Sequence, residues 1–220
     1  SSTEVFSFYN SSTVAIRIFD VVNNAQLGSD ITTVNQCNSL SETVINGTSN
    51  LVTILENSTD TLQEVWYFPE GGAWTQITDT DFPSNQTPGL LIVGDPVHMN
   101  GRMYILTQTG RLYNSDFDSL AAWSATGYLT AQTQPDSGVG LIKHHNMIAA
   151  FGTFSIEFFK DTGTTGGSPL MLQEERSLKV GALPISASLK TIHNHEDDVY
   201  FLGAGASESG SRGIYRLRDF

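Results

Sequence analysis

The chain has a single cysteine, Cys37. One thiol cannot close an intramolecular disulfide, and it cannot supply the thiolate cluster of a structural zinc site. A chain of this kind suits assembly in a reducing cytoplasm. Basic residues are also scarce: 11 Lys and Arg stand against 23 Asp and Glu, a formal net charge of −12. Proteins that grip phosphates over a broad surface lean basic, so the balance argues against a nucleic-acid clamp. An acidic surface still allows DNA to slide past without sticking, and charge alone does not separate that role from plain solubility. No apolar run approaches the length of a membrane-spanning helix. No window keeps apolar residues at i, i+3, i+4 and i+7 over three turns, so long amphipathic helices are not expected. The opening Ser1-Ser2-Thr3-Glu4 has neither a basic region nor an apolar core, so no secretory signal peptide is expected. It lacks an initiator Met, and a processed N-terminus or a longer parent chain is expected.

What the chain does have is Gly, Ser, Thr and Asn in abundance, with 15% of residues charged and 39% hydrophobic. That profile predicts an all-β protein with many turns. The stretch from Gly138 to Gly163 sets the pattern. Met147 to Phe151 is a continuous apolar run, as expected for a strand buried on both faces. Gly152-Thr153 breaks it, and Phe154, Ile156 and Phe158 are then predicted to share one side of a strand. Residues 1–50 read as an irregular β-rich segment. There Thr13–Val22 alternates, Asn46-Gly47 is the strongest turn signal, and only short strands are expected between Asn24 and Asn46.

From Leu51 a repeat can be counted. Leading strands are predicted near Val52, Val97, Ile142 and Leu189, at steps of 45, 45 and 47 residues. Second strands follow at Val65–Phe68, Met103–Leu106, Met147–Phe151 and Val199–Leu202. The first of these can equally be a third strand, because Leu51–Leu55 can supply an earlier one. Later strands are expected at Arg111–Tyr113, Ser155–Phe158 and Ile214–Leu217. Trp74 and Trp123 lie 49 residues apart, each after a turn rich in small residues. About four strands recurring every 45 residues or so is the pattern of β-propeller blades, since one twisted sheet cannot bury both faces alone. Residues 51–220 are therefore expected to hold about four blades, an incomplete ring in this chain. An irregular β-sandwich is the competing architecture.

Several residue groups invite chemistry and read better as turns. His98, His144-His145 and His193-Asn194-His195, the last followed by Glu196-Asp197-Asp198, have the residue types of a metal site. All three fall at the same point of the repeat, the hairpin before the second strand, and so on separate blades. No metal is expected. The pairs Asp79/Asp81 and Asp116/Asp118 have the residue types of glycosidase carboxylates, and Asp118 to Trp123 is faintly similar to sialidase blade turns. The turn's Gly is missing there, and no Arg cluster accompanies it, so turn chemistry is the expected role. Cys37 has no nearby His in sequence, and Gly-x-Ser-x-Gly and the phosphate loop Gly-x-x-x-x-Gly-Lys-Ser/Thr do not occur. Gly163–Gly167 is Gly-rich but reads as a connection between strands. The sequons at Asn10, Asn46, Asn57 and Asn85 are expected by chance in so Asn-, Ser- and Thr-rich a chain. Trp66, Tyr67, Trp74 and Trp123 are expected to pack within blades rather than form a sugar platform. No catalytic residue, cofactor or specific binding residue is assigned.

Thr75-Gln-Ile-Thr-Asp-Thr-Asp-Phe-Pro83 resembles the Q-I-T-D-x-D-F-P segment of the tail hub proteins of short-tailed phages, also called packaged-DNA stabilisation proteins. The order that follows is similar too: Asn100–Leu106, Leu112–Trp123, Gln134-Pro135-Asp136 and Val139–Ile142. Phe151-Gly-Thr-Phe-Ser-Ile-Glu-Phe-Phe159 resembles the family's F-G-x-x-T-x-E pattern. Thr162-Gly163, Ser168-Pro169, Ala187-Ser188, Val199–Gly203 and Gly213–Arg216 continue the series. The match runs through about residues 45–217. It departs at Ala131-Gln132, where the family has Ala-Glu, and at Val180-Gly181-Ala182, where it has Gly-Cys. The resemblance implies a non-enzymatic virion protein of the phage tail, assembled in the bacterial cytoplasm. It also implies a homo-oligomeric ring, a hexamer, below the portal and adaptor. Such a ring carries the DNA channel, helps retain packaged DNA without binding it specifically, and meets needle or fibre proteins. No membrane partner is implied. A carbohydrate-binding or glycosidase-like propeller is the alternative, and clustered Arg and carboxylates at the ring centre would favour it.

Overall fold

The computed structural model describes residues 3–10, 13–20, 24–57, 62–130, 136–164, 166–184, 190–205 and 212–218. Their regular structure is antiparallel β, interrupted by short 3-10 turns at Pro83–Asn85 and Glu174–Arg176. Among them no helix is long and apolar enough to cross a membrane.

The strands form four sheets. The first pairs β1 (Thr3–Asn10), β2 (Thr13–Asp20), β3 (Ala25–Ile45), β4 (Thr48–Asn57), β5 (Gln63–Pro69) and β6 (Thr75–Gln76) in chain order. The second holds β7 (Ile92–Met99), β8 (Arg102–Thr107), β9 (Arg111–Ser115) and β10 (Trp123–Thr130). The third holds β11 (Gly138–His144), β12 (Met147–Gly152), β13 (Ile156–Asp161) and β14 (Leu170–Leu172). In the fourth, β15 (Val180–Ala182) and β16 (Ile192–His195) pair with successive parts of one edge of β17 (Asp198–Gly205). The strand β18 (Arg212–Leu217) pairs with its other edge. Sheets 1 to 3 are up-and-down meanders, as propeller blades are, and β16, β17 and β18 form one in sheet 4.

Apolar layers lie between the sheets. Val52, Ile54 and Val65 of sheet 1 meet Met103, Ile105 and Tyr113 of sheet 2. Tyr104, Leu106 and Leu112, from the other face of sheet 2, meet Ile148, Ala150 and Phe159 of sheet 3. Met147, Ala149 and Phe151 then meet Val199, Phe201 and Leu217 of sheet 4. The run Met147–Phe151 is apolar throughout because alternate residues serve different layers.

A 21-residue strand such as β3 would be about 70 Å long if straight. It is not straight. Its register shifts between Val34 and Gln36 and again between Cys37 and Ser39, and such irregularities bend a strand. The N-terminal half of β3 pairs with β2, and the C-terminal half with β4. The bend folds the N-terminal strands over the outer face of sheet 1. There Ile16 and Ile31 bury Leu55, with Cys37, Trp66 and Trp74 packed around them.

Some expectations change. The segment between Asn24 and Asn46 holds one long strand rather than short ones, and sheet 1 takes strands from both sides of residue 50. Val52 lies in the second strand of its blade, and Val65–Phe68 in the third, the alternative left open above. Phe154 is not on a strand: it sits in the turn before β13 and is 46% exposed. Its N–H is taken by the Asp136 carboxylate at 2.6 Å, which holds the chain in the turn. The expected strand start at Leu189 and the Ala187-Ser188 motif lie outside the described residues.

Candidate functional site

The innermost strands, β3, β7, β11 and β16, line the propeller axis. Glycine lets them approach. A Cβ on Gly94 would lie 2.6 Å from the Gly140 Cα, and one on Gly140 would lie 3.0 Å from Ile192 Cδ1. Gly94 also has φ +72°, a region that disfavours other residues. The main chains of sheets 2 and 3 thus touch at the axis, and sheet 4 reaches them through Ile192.

On one side of this contact lies a cavity of about 490 Å³, with Asn38, Glu56, Asp95, Lys190, Leu91 and Ile192 among its walls. Asp95 organises it. Its carboxylate accepts a hydrogen bond from Ser39 Oγ at 2.5 Å and pairs with Lys190 Nζ at 2.7 Å. One side chain thereby joins sheets 1, 2 and 4. Gln63 seals the wall by exchanging two hydrogen bonds with the Ile92 main chain, at 3.0 and 2.5 Å. Among the described lining residues there is no Arg and no aromatic ring. The Arg cluster that would favour the sugar-handling alternative is not found among these described residues.

The other side of the axis holds a shallower depression lined by Glu42, His98, Lys143 and Asn194. His98, His144, His145, His193 and His195 all lie at this end of their hairpins, as the repeat predicts. They do not converge: His144 and His145 are in ring contact at 4.3 Å, while His193 Nε2 lies 3.2 Å from the Lys190 carbonyl. Among the described residues no group of three or more His, Cys, Asp or Glu side chains is placed to hold a metal ion. Burial holds the His98 imidazole below its ordinary pKa of 6.5, and Lys143 adds to the effect against the opposing pull of Asp118. Asp198 engages Arg216 and lies 3.8 Å from Arg218, and the Arg216 bond lowers its carboxyl pKa.

The acidic residues hold turns, and one of them, Asp79, also joins two sheets. Asp79 accepts the Asp81 N–H at 2.9 Å with one oxygen and the Trp123 N–H at 3.0 Å with the other. Phe82 meets the Trp123 ring edge-to-face at 4.8 Å. The Thr75–Pro83 segment is thus the clasp between sheets 1 and 2. Asp118 sits at φ +53°, and its N–H bonds the Gly101 carbonyl at 2.7 Å, in a turn. Asp136 accepts the Phe154 N–H and the Ser155 hydroxyl, so it locks the Gly152–Ser155 turn. Two motifs distant in sequence therefore form one joint.

The remaining candidates have structural places. Trp66, Tyr67, Trp74 and Trp123 pack in the apolar layers. Half-buried Cys37 lies 3.4 Å from the Ser39 carbonyl. Asn46 is in a two-residue hairpin turn, and Asn85 donates to the Ile77 and Asp79 carbonyls. The side chains of Asn10 and Asn57 lie outside the described residues. Gly163 and Gly167, both with positive φ, are in the β13–β14 connection. Sequence reasoning missed Gly94, Asp95, Gly140 and Lys190. A Gly inside a strand pattern is the one signal that was present, because it marks close backbone approach.

Solved structures of similar shape include the computationally designed Ika8 protein, at 9% identity and a TM-score of 0.53, with 97% of this chain and 58% of that chain covered. The AfRom2 CNH domain gives 11% identity and a TM-score of 0.48, over 100% of this chain and 65% of that one. BamB from Moraxella catarrhalis gives 9% and 0.47, over 99% and 67%. The chain thus spans less than two thirds of the first two, and at such identities the likeness concerns fold alone. No curated protein matches by sequence. A family model described as "Bacteriophage P22 Gp10, beta-propeller", the phage stabilisation family, matches residues 12–218. That match takes in strands of all four sheets, though not β1, together with the Asp79 clasp and the Asp136 joint, and the chain belongs to this family of phage DNA-stabilisation β-propellers.

Proposed function

We propose that this chain is a non-enzymatic structural protein of the phage tail hub or nozzle. Copies of it form a ring, a hexamer, below the portal and adaptor, and the ring encloses the DNA channel and helps retain the packaged genome. Needle or fibre proteins dock on the ring, and DNA passes without specific binding. The observation that carries this reading is the contact of inner strands at Gly94 and Gly140. A duplex whose major groove alone is about 12 Å wide cannot thread between strands in van der Waals contact. In this reading the passage runs between subunits, which a ring supplies. The net charge of −12 agrees with walls that do not hold phosphates.

The test is the mass of the purified protein in solution, alone and with isolated portal and tail components. A ring-sized assembly, or co-assembly with portal parts, is expected. A monomer that ignores those components and binds a glycan would overturn the reading in favour of a sugar-handling propeller.

A further inference from the structure

The connection from β9 to β10 sends its apolar residues to opposite sides. Leu120 and Trp123 are buried in the layer between sheets 1 and 2, whereas Phe117 is 64% exposed. A lone exposed apolar side chain is ordinary, but this one stands on a turn that is tied down around it. The Asp116 N–H donates to the Ala122 carbonyl at 2.8 Å, and the Asp118 N–H to the Gly101 carbonyl at 2.7 Å. Arg102 Nη1 donates to the Ser115 carbonyl at 2.7 Å, and its guanidinium carbon lies 6.0 Å from the Phe117 ring centre. The ring rests against Gly101, where a Cβ would come within 2.8 Å of Phe117 Cε2. Asp116 and Asp118, on either side of the ring in sequence, are both exposed. The charge of Asp118 is felt by His98, which places the tip at the histidine end of the blades.

We propose that Asp116-Phe117-Asp118 is a docking knob: Phe117 enters an apolar hole on a partner protein, and Lys or Arg on the rim of that hole meets the two carboxylates. The inference rests on the tail-hub reading for the source of that partner, a portal or tail component. Aromatic rings are enriched in the buried centres of interfaces, and a ring already fixed on its turn gives up little freedom when it docks. Charge selects the occupant. Two such tips meeting about a two-fold axis would bring the carboxylates of both copies together, which is repulsive, and the rest of a second copy carries the same net charge of −12. A basic rim is attractive and steers the encounter from a distance.

The experiment places the photoreactive p-benzoylphenylalanine at position 117 of the whole chain and illuminates it with isolated portal and tail components. Crosslinks are expected on one of those components, at an apolar site bordered by Lys or Arg. Binding to the same components is measured for the unaltered chain and for its variants. Phe117→Ala should weaken binding at least about thirtyfold, whereas Phe117→Tyr, which keeps the ring, should restore most of it. Asp116→Asn combined with Asp118→Asn should slow association about tenfold and remove most of its salt dependence. These positions are exposed and Asn tolerates the positive φ at 118, so melting temperatures should stay unchanged. Crosslinks to a second copy, or none, would overturn the proposal. An unaltered chain that ignores the components would overturn it together with the tail-hub reading. An unaltered chain that binds them no better than Phe117→Ala does would overturn the knob alone.

Discussion

Sheets 1 and 4 are the two ends of the stack, and their strands are written alike. β4 carries Val52 and Ile54 toward sheet 2 and Leu55 on its other side, and β17 carries Val199 and Phe201 toward sheet 3 with Leu202 behind. At sheet 1 the chain supplies its own cover: β3 bends, and Ile16 and Ile31 close over a fully buried Leu55. At sheet 4 the equivalent face meets solvent through Leu202 and Ile214. A strand that is apolar on both sides has two faces to bury, and sheet 1 shows one of them covered by the chain's own N-terminal strands.

Leu55→Ala tests the covered end most severely. If the N-terminal strands belong to the cooperative core, urea denaturation should show a loss of about 2–5 kcal/mol. A loss below about 1 kcal/mol would mean that they pack loosely, and the contrast with sheet 4 would vanish. Gly94→Ala probes the middle of the stack, where a Cβ meets Gly140 and φ is positive. Strain and overpacking together should cost about 2–4 kcal/mol, read by the same titration. Asp79→Ala unclasps sheets 1 and 2 by leaving the Asp81 and Trp123 N–H groups without their acceptor. A cost of about 1–3 kcal/mol is expected.

Acid should separate an interior sheet from the terminal one. The His98 pKa is depressed in the folded protein, so the unfolded chain takes up that proton first. Its contribution to stability is intact above about pH 6.5 and is lost as pH falls toward the folded value. Asp198 is depressed too, and its contribution is lost only below about pH 4. Thermal melts of His98→Asn should lack the first decline and keep the second. The smallest effect is expected at the open end: Ile214→Ser should change stability by no more than about 0.5 kcal/mol.

Apolar alternation and turn chemistry made sheets 2 and 3 legible in the sequence, because their strands lie between neighbours on both sides. The leading strand of sheet 1 was not legible. Its Ser39 and Thr43 are buried polar residues, and a hydrophobic pattern is blind to them. Ser39 is satisfied by Asp95 from another sheet, a partner that no local window contains. The axial site was hidden for the same reason. Gly94-Asp95-Pro96 lies inside a strand, and only the fold brings Lys190 to it. The Asp79 motif was read as turn chemistry, and its bond to the Asp81 N–H fits that, yet its reach to Trp123, like the Asp136 joint, needed the structure.

The Asp95–Lys190 pair skips a sheet and ties the second to the fourth. Apolar layers set the spacing of neighbouring sheets stiffly, but they leave the angle of the whole fan to be summed over several joints. A tie that skips a joint constrains that sum. Its partners are 32% and 43% exposed, so it adds little stability, and dissolved ions screen it. The curvature of the fan is therefore a softer, more salt-responsive quantity than its melting temperature. Solvent ions can act on shape while the core stays as it was.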